Sequence, residues 1–161
     1  MNHNTAKVSY LAIVLACVAA ILVSSIWYSP FVFGKQWMEL RSAQPPGSAD
    51  TAMPAWKIPV DLVRELVVVY VLARFVTGLR IVDWKGAVSL GLWVWLGFPV
   101  QMLVGSSLWD NKPWTLSLIH AGDWLMKMLL MSLVLSQWPR VSKSLAFRKS
   151  SHGRNDTGSN S

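Results

Sequence analysis

The stretch Val8–Tyr28, VSYLAIVLACVAAILVSSIWY, runs for 21 residues without a charge. An α-helix rises about 1.5 Å per residue, so roughly 20 apolar residues cross a hydrocarbon core of about 30 Å. Three further apolar runs follow, and the predicted transmembrane helices are 8–28, 60–79, 86–105 and 116–138. The expected fold class is therefore an all-α membrane protein with four transmembrane helices in one domain over 1–138, two helical hairpins being a candidate arrangement. In lipid a polar group has no water to turn to, so each needs a partner inside the protein.

Composition agrees. Hydrophobic residues make up 53% of the 161 and charged residues 14%, and the mean hydropathy is +0.38, too apolar for an ordinary soluble domain. Of ten tryptophans, Trp27, Trp37, Trp56, Trp109 and Trp114 fall near one set of helix ends, with Trp84 and Trp138 near the other. That reads as an aromatic belt at both interfaces, and Trp93, Trp95 and Trp124 are expected to pack between helices. The first run continues well past the faint cleavage-like Val14-Leu15-Ala16-Cys17, so an uncleaved helix is preferred to a signal peptide. Cys17 is the only cysteine, which excludes an intramolecular disulfide.

The connections are unequal. The outer loop 29–59 carries five of the eight prolines; its first part reads as a short amphipathic piece lying in the interface. The tail 139–161 is basic and polar and is expected to be disordered and cytoplasmic. Lys7, Arg80, Lys85, Arg140, Lys143, Arg148, Lys149 and Arg154 give eight basic residues on the side of the termini, against four (Lys35, Arg41, Lys57, Lys112) on the other. The positive-inside rule then puts both termini in the cytoplasm of a bacterial inner membrane. The net charge of +7 is this topology signal and not a nucleic-acid footprint. The expected partners are the lipid bilayer and either a second copy or another membrane protein.

Ala12, Ala16, Ala20 and Ser24 recur every fourth position, a face on which another helix can approach closely. Pro99 removes a hydrogen bond in the third helix and predicts a kink facing protein or a water cavity. Ser24-Ser25-Ile26-Trp27 is echoed by Ser106-Ser107-Leu108-Trp109, a short and weak trace of repetition.

The segment Trp27-Tyr28-Ser29-Pro30, then Phe33-Gly34-Lys35, then Trp37-Met38, resembles the signature of a family of small bacterial and fungal membrane proteins, domain of unknown function 1761. Leu90-Gly91, Trp95-Leu96-Gly97-Phe98, Ile119, Ala121-Gly122 and Leu125 are similar as well. The resemblance covers about residues 5–138 and implies four membrane helices with no assigned activity. Asp123 stands where that pattern usually has an aromatic residue, and a charge at Lys127 is unusual for it. Without the family, Trp27 and Tyr28 read as an interfacial anchor, Pro30 as a helix terminator and Gly34 as the residue permitting a tight reversal.

Lys127 lies at the middle of the fourth span, where a charge costs about 2.5–3.5 kcal/mol on insertion scales. His120, Asp123 and Lys127 are three and four residues apart, hence on one helix face. Counting about 1.5 Å per residue puts Ser24, Arg64, Glu65, Gln101, His120 and Asp123 in one layer of the outer third, with Lys127 just beneath. A sealed network, a water-filled vestibule for a proton, ion or small solute, and a self-neutralising Asp123–Lys127 pair are the competing readings. A metal held by His120, Asp123 and Glu65 is disfavoured because one histidine makes a poor transition-metal site, so no cofactor is expected. No HExxH, phosphate-binding glycine loop or nucleophile beside a second histidine is present, which argues against an enzyme.

Overall fold

The computed structural model describes residues 9–43 and 55–155, with side chains described as far as residue 138. Among the described residues the chain is all helical: α1 (Tyr10–Trp27), α2 (Gly34–Ser42), α3 (Lys57–Gly78), α4 (Trp84–Gly97), α5 (Pro99–Trp109) and α6 (Trp114–Asn155). Three stretches are long and apolar enough to cross a membrane, namely Tyr10–Trp27, Trp84–Trp109 and Trp114–Trp138. With 22 residues α3 has the length, but Lys57, Asp61, Arg64, Glu65 and Arg74 make it too polar to qualify by composition.

Local chemistry sets the helix ends. Ser9 caps α1, its hydroxyl accepting from the amide of Ala12. Asp83 caps α4 by accepting from the amide of Gly86 at 2.9 Å, which satisfies donors that a helix start leaves unpaired. α3 begins at Lys57 and not at residue 60, because Pro59 falls in the first turn, where its missing N–H is not needed.

The expected kink at Pro99 is a break. Phe98 leaves helical geometry, with φ −121° and ψ −73°, and separates α4 from α5. Pro99 itself is buried. Gln101 does not join the polar layer: it is exposed, and its side-chain amide donates to the carbonyl of Leu96 at 3.3 Å. A proline two residues before it disturbs the ladder, and the glutamine supplies a donor beside the break.

α6 is the hub, packing against α1, α3, α4 and α5, with α3 also lying on α1. The core joins Ala12, Ala16 and Ala20 of α1 to Val69, Leu72 and Val76 of α3 and to Met128, Met131 and Leu135 of α6. Gly91 serves the same closeness in α4, where an added Cβ would stand 3.0 Å from the Met128 carbonyl oxygen. Close backbone approach replaces the hydrophobic drive that lipid removes.

Several expectations are corrected. Trp93 is 70% exposed instead of packed between helices, because Gly91 faces α6 and a residue two positions on points the other way. Trp27 lies against α6 as well as at a helix end, and Trp109 is 85% exposed, so the two halves of the weak repeat sit in different surroundings. The tail does not turn irregular at Pro139, since α6 is helical to Asn155. Leu, Ala, Lys, Arg and Ser beyond the proline are compatible with helix. Residues 156–161 and 44–54 lie outside the described residues.

Candidate functional site

One turn of chain brings the site together. After Trp27 the backbone reverses, with the amides of Phe33 and Gly34 donating to the carbonyls of Trp27 and Ser29 at 3.1 and 2.9 Å. Gly34 is required here because a Cβ would collide with the Tyr28 carbonyl oxygen. Pro30 begins the reversal, and Lys35 lies on the exposed side of α2. The Trp27 ring stacks on Phe33 at 4.7 Å, and the Tyr28 ring meets Trp37 at 5.5 Å. The turn thereby aims Trp27 and Tyr28 at α6.

Trp27 Nε1 donates to the Ile119 carbonyl at 3.0 Å, and its ring fills the space left by Gly122, where a Cβ would run into it. The Tyr28 hydroxyl is 2.7 Å from His120 Nδ1. Trp95 of α4 donates from Nε1 to the Ala121 carbonyl at 2.8 Å. Three aromatic side chains thus pin one turn of α6 from two sides. These bonds were not anticipated from the sequence, where the WYSP segment reads as an anchor and a turn. The small-residue pair Ala121-Gly122 facing two tryptophans was the available signal.

One turn further along α6 lie the charges. Lys127 Nζ is 3.1 Å from Glu65 Oε2 and 3.5 Å from Asp123 Oδ2, and it sits 4.4 Å from the centre of the Trp124 ring. Ser24 Oγ donates to Asp123 Oδ1 at 2.6 Å. Glu65, Asp123 and Lys127 are 4%, 4% and 5% exposed, so an ion pair hidden from solvent ties α3 to α6, and the Ser24 hydrogen bond adds α1. Two carboxylates surround one ammonium, and Glu65 Oε1 makes no hydrogen bond among the described residues.

The structure therefore joins Ser24, Glu65, Asp123 and Lys127, with Tyr28 and His120 as an adjoining pair. It does not bring Arg64 or Gln101 into that layer. Arg64 pairs with Asp61 at 2.6 Å on the exposed side of α3, with its guanidinium 5.9 Å from the centre of the same Trp124 ring. Position 64 precedes Glu65, and on a helix the next residue points about 100° away, so Glu65 turns inward to Lys127 while Arg64 reaches α6 only at its rim, over Trp124. Among the described residues no group of histidine, cysteine and carboxylate side chains has the arrangement of a metal site.

A cavity of about 810 Å³ lies between α1 and the N-terminal half of α3. Ser24, Tyr28, Asp61, Arg64, Glu65 and Lys127 contribute to its wall. Chemically the arrangement offers a buried ion-paired group with a mainly apolar space beside it, and among the described residues no activated nucleophile with an oxyanion site accompanies it.

The profile of one family, described as "Protein of unknown function (DUF1761)", matches residues 11–136. No curated protein and no solved structure matches the chain.

Proposed function

From a chain that belongs to the DUF1761 family, whose members are described by no activity, we propose a non-enzymatic, multi-pass protein of a bacterial inner membrane. Its role is assembly, with itself or with another membrane protein. α3 is the fourth span beside α1, α4–α5 and α6, and both termini are cytoplasmic. Its length of 22 residues, about 33 Å of helix, supports this, as does the pairing that hides Glu65 from lipid. Arg74 lies near the end of α3, where its long side chain snorkels to the interface.

The observation that carries the structural reading is the burial of Lys127 at 5% exposure between two carboxylates. A lysine serving as an open transport site needs water. This one is buried and ion-paired, and we read it as a lock that fixes the register of α3 on α6. The test is thermal melting of purified Asp123→Asn and of the triple Glu65→Gln, Asp123→Asn, Lys127→Met, since Glu65 also pairs with Lys127. The single change should melt earlier and the triple should recover. A single variant as stable as the parent sinks the lock.

A second reading rests on the cavity of about 810 Å³ that reaches Glu65 and Lys127. There the protein is a small transporter or channel-like subunit for a proton, ion or small solute. Proteoliposomes loaded with a pH-sensitive dye separate the two: a proton flux lost in the well-folded triple variant favours transport.

A further inference from the structure

Asp61 and Arg64 form an ion pair of 2.6 Å with side chains 67% and 60% exposed. Arg64 shares its side of α3 with Val60, Val67 and Val71, exposed by 57%, 56% and 45%. α3 packs on α1 and α6, and the other described residues leave this face uncovered. The pair sits four and seven residues into the helix, about 6–10 Å along it. On a helix that crosses a bilayer, charged side chains turn toward protein or water and away from hydrocarbon. On one side the pair borders the cavity next to α1; its outer, exposed side at that depth calls for a cover.

We propose that a second copy of this chain supplies the cover, the two α3 helices packing in parallel about a two-fold axis along the membrane normal. The inference deepens the assembly reading above and rests on α3 being a span. Val60, Arg64, Val67 and Val71 follow a four-three-four spacing, which is the seam of a left-handed helix pair. Arg64 reaches back one turn, so its guanidinium lies at the level of Asp61. In a parallel two-fold pair, residues at equal height face each other. The guanidinium of one copy therefore meets the partner's Asp61, and the reverse contact forms by symmetry. Its five N–H donors are enough for both carboxylates.

Self-complementarity favours a copy over other occupants. A different membrane protein would have to bring an acid and a base in matching register. A lipid phosphate offers negative charge alone and would compete with Asp61 for Arg64. Beside the seam runs an apolar crevice of about 510 Å³ between α3 and the α4–α5 break, walled by Val67, Val71, Phe75, Phe98 and Met102. It has room for apolar side chains from the partner's helix.

The experiment uses the full chain in native membranes and then in mild detergent. In a Cys17→Ala background, Val67→Cys should give a disulfide-linked dimer under mild oxidation. Leu11→Cys, on the exposed side of α1, should not. By native mass spectrometry Asp61→Arg and Arg64→Asp should each lower the dimer fraction at least about tenfold through like-charge contact. The swap Asp61→Arg with Arg64→Asp should restore it, a recovery that general destabilisation would not give. A monomeric parent, equal crosslinking at residue 11, or a swap that stays monomeric overturns the proposal. A monomer retaining one anionic phospholipid, lost in Arg64→Asp, gives the face to lipid instead. A chain missing from the membrane fraction would fail the membrane reading itself. A membrane-inserted chain that does not crosslink fails only this inference.

Discussion

Lys127 of α6 and Glu65 of α3 meet at 3.1 Å although 62 positions separate them in sequence. Asp123, one turn before Lys127, holds the other side of the same ammonium at 3.5 Å. Ser24 extends the connection to α1. The energetics of such a group are lopsided. A complete buried pair gains little over apolar residues of the same shape, whereas a broken one leaves a charge with no partner.

Lys127→Met should accordingly be the most damaging single change at the site, because it leaves two buried carboxylates facing each other. Loss of a buried partner costs about 3–5 kcal/mol. Adding Glu65→Gln and Asp123→Asn should recover most of it. Melting temperatures of the single and triple variants in one detergent check this. A harmless Lys127→Met would mean that water reaches the site.

Gly122→Ala should destabilise by about 1–3 kcal/mol, the usual cost of overpacking, because its Cβ enters the Trp27 ring. Trp27→Leu, which removes that ring, should make Gly122→Ala nearly neutral. Failure of this suppression in a chemical-denaturation series would show that the Trp27–Gly122 contact is not what the glycine serves.

Tyr28→Phe removes the hydroxyl bonded to His120 and should cost about 1 kcal/mol, the net value of a typical hydrogen bond. A double-mutant cycle with His120→Phe should give a coupling of at least about 0.5 kcal/mol, as residues in contact do. Additive losses would mean that the two side chains act independently.

Reporter fusions after Ser150 and inside residues 44–52 should give opposite signals, cytoplasmic for the first and external for the second. The eight-to-four division of basic residues is the reason. Equal signals would reduce the chain to the three spans that composition alone supports.

The sequence by itself determined the helical class and the position of three apolar spans, because length and absence of charge are local properties that a bilayer reads directly. It also made the alanine spacing of α1 visible, and the shared face of His120, Asp123 and Lys127, since helical periodicity converts spacing into direction. Depth along a helix is equally legible, but depth is one coordinate and direction around the axis is another. Arg64 and Glu65 stand at nearly the same depth, yet Glu65 turns to Lys127 while Arg64 turns out to Asp61. Gln101 likewise has the depth of the layer and spends its side chain on the Leu96 carbonyl. Only the tertiary structure decided those cases, because packing fixes the rotation of each helix about its axis. The same holds for Tyr28, which reads as an interfacial anchor until the reversal at Gly34 aims it at His120, a residue 92 positions away.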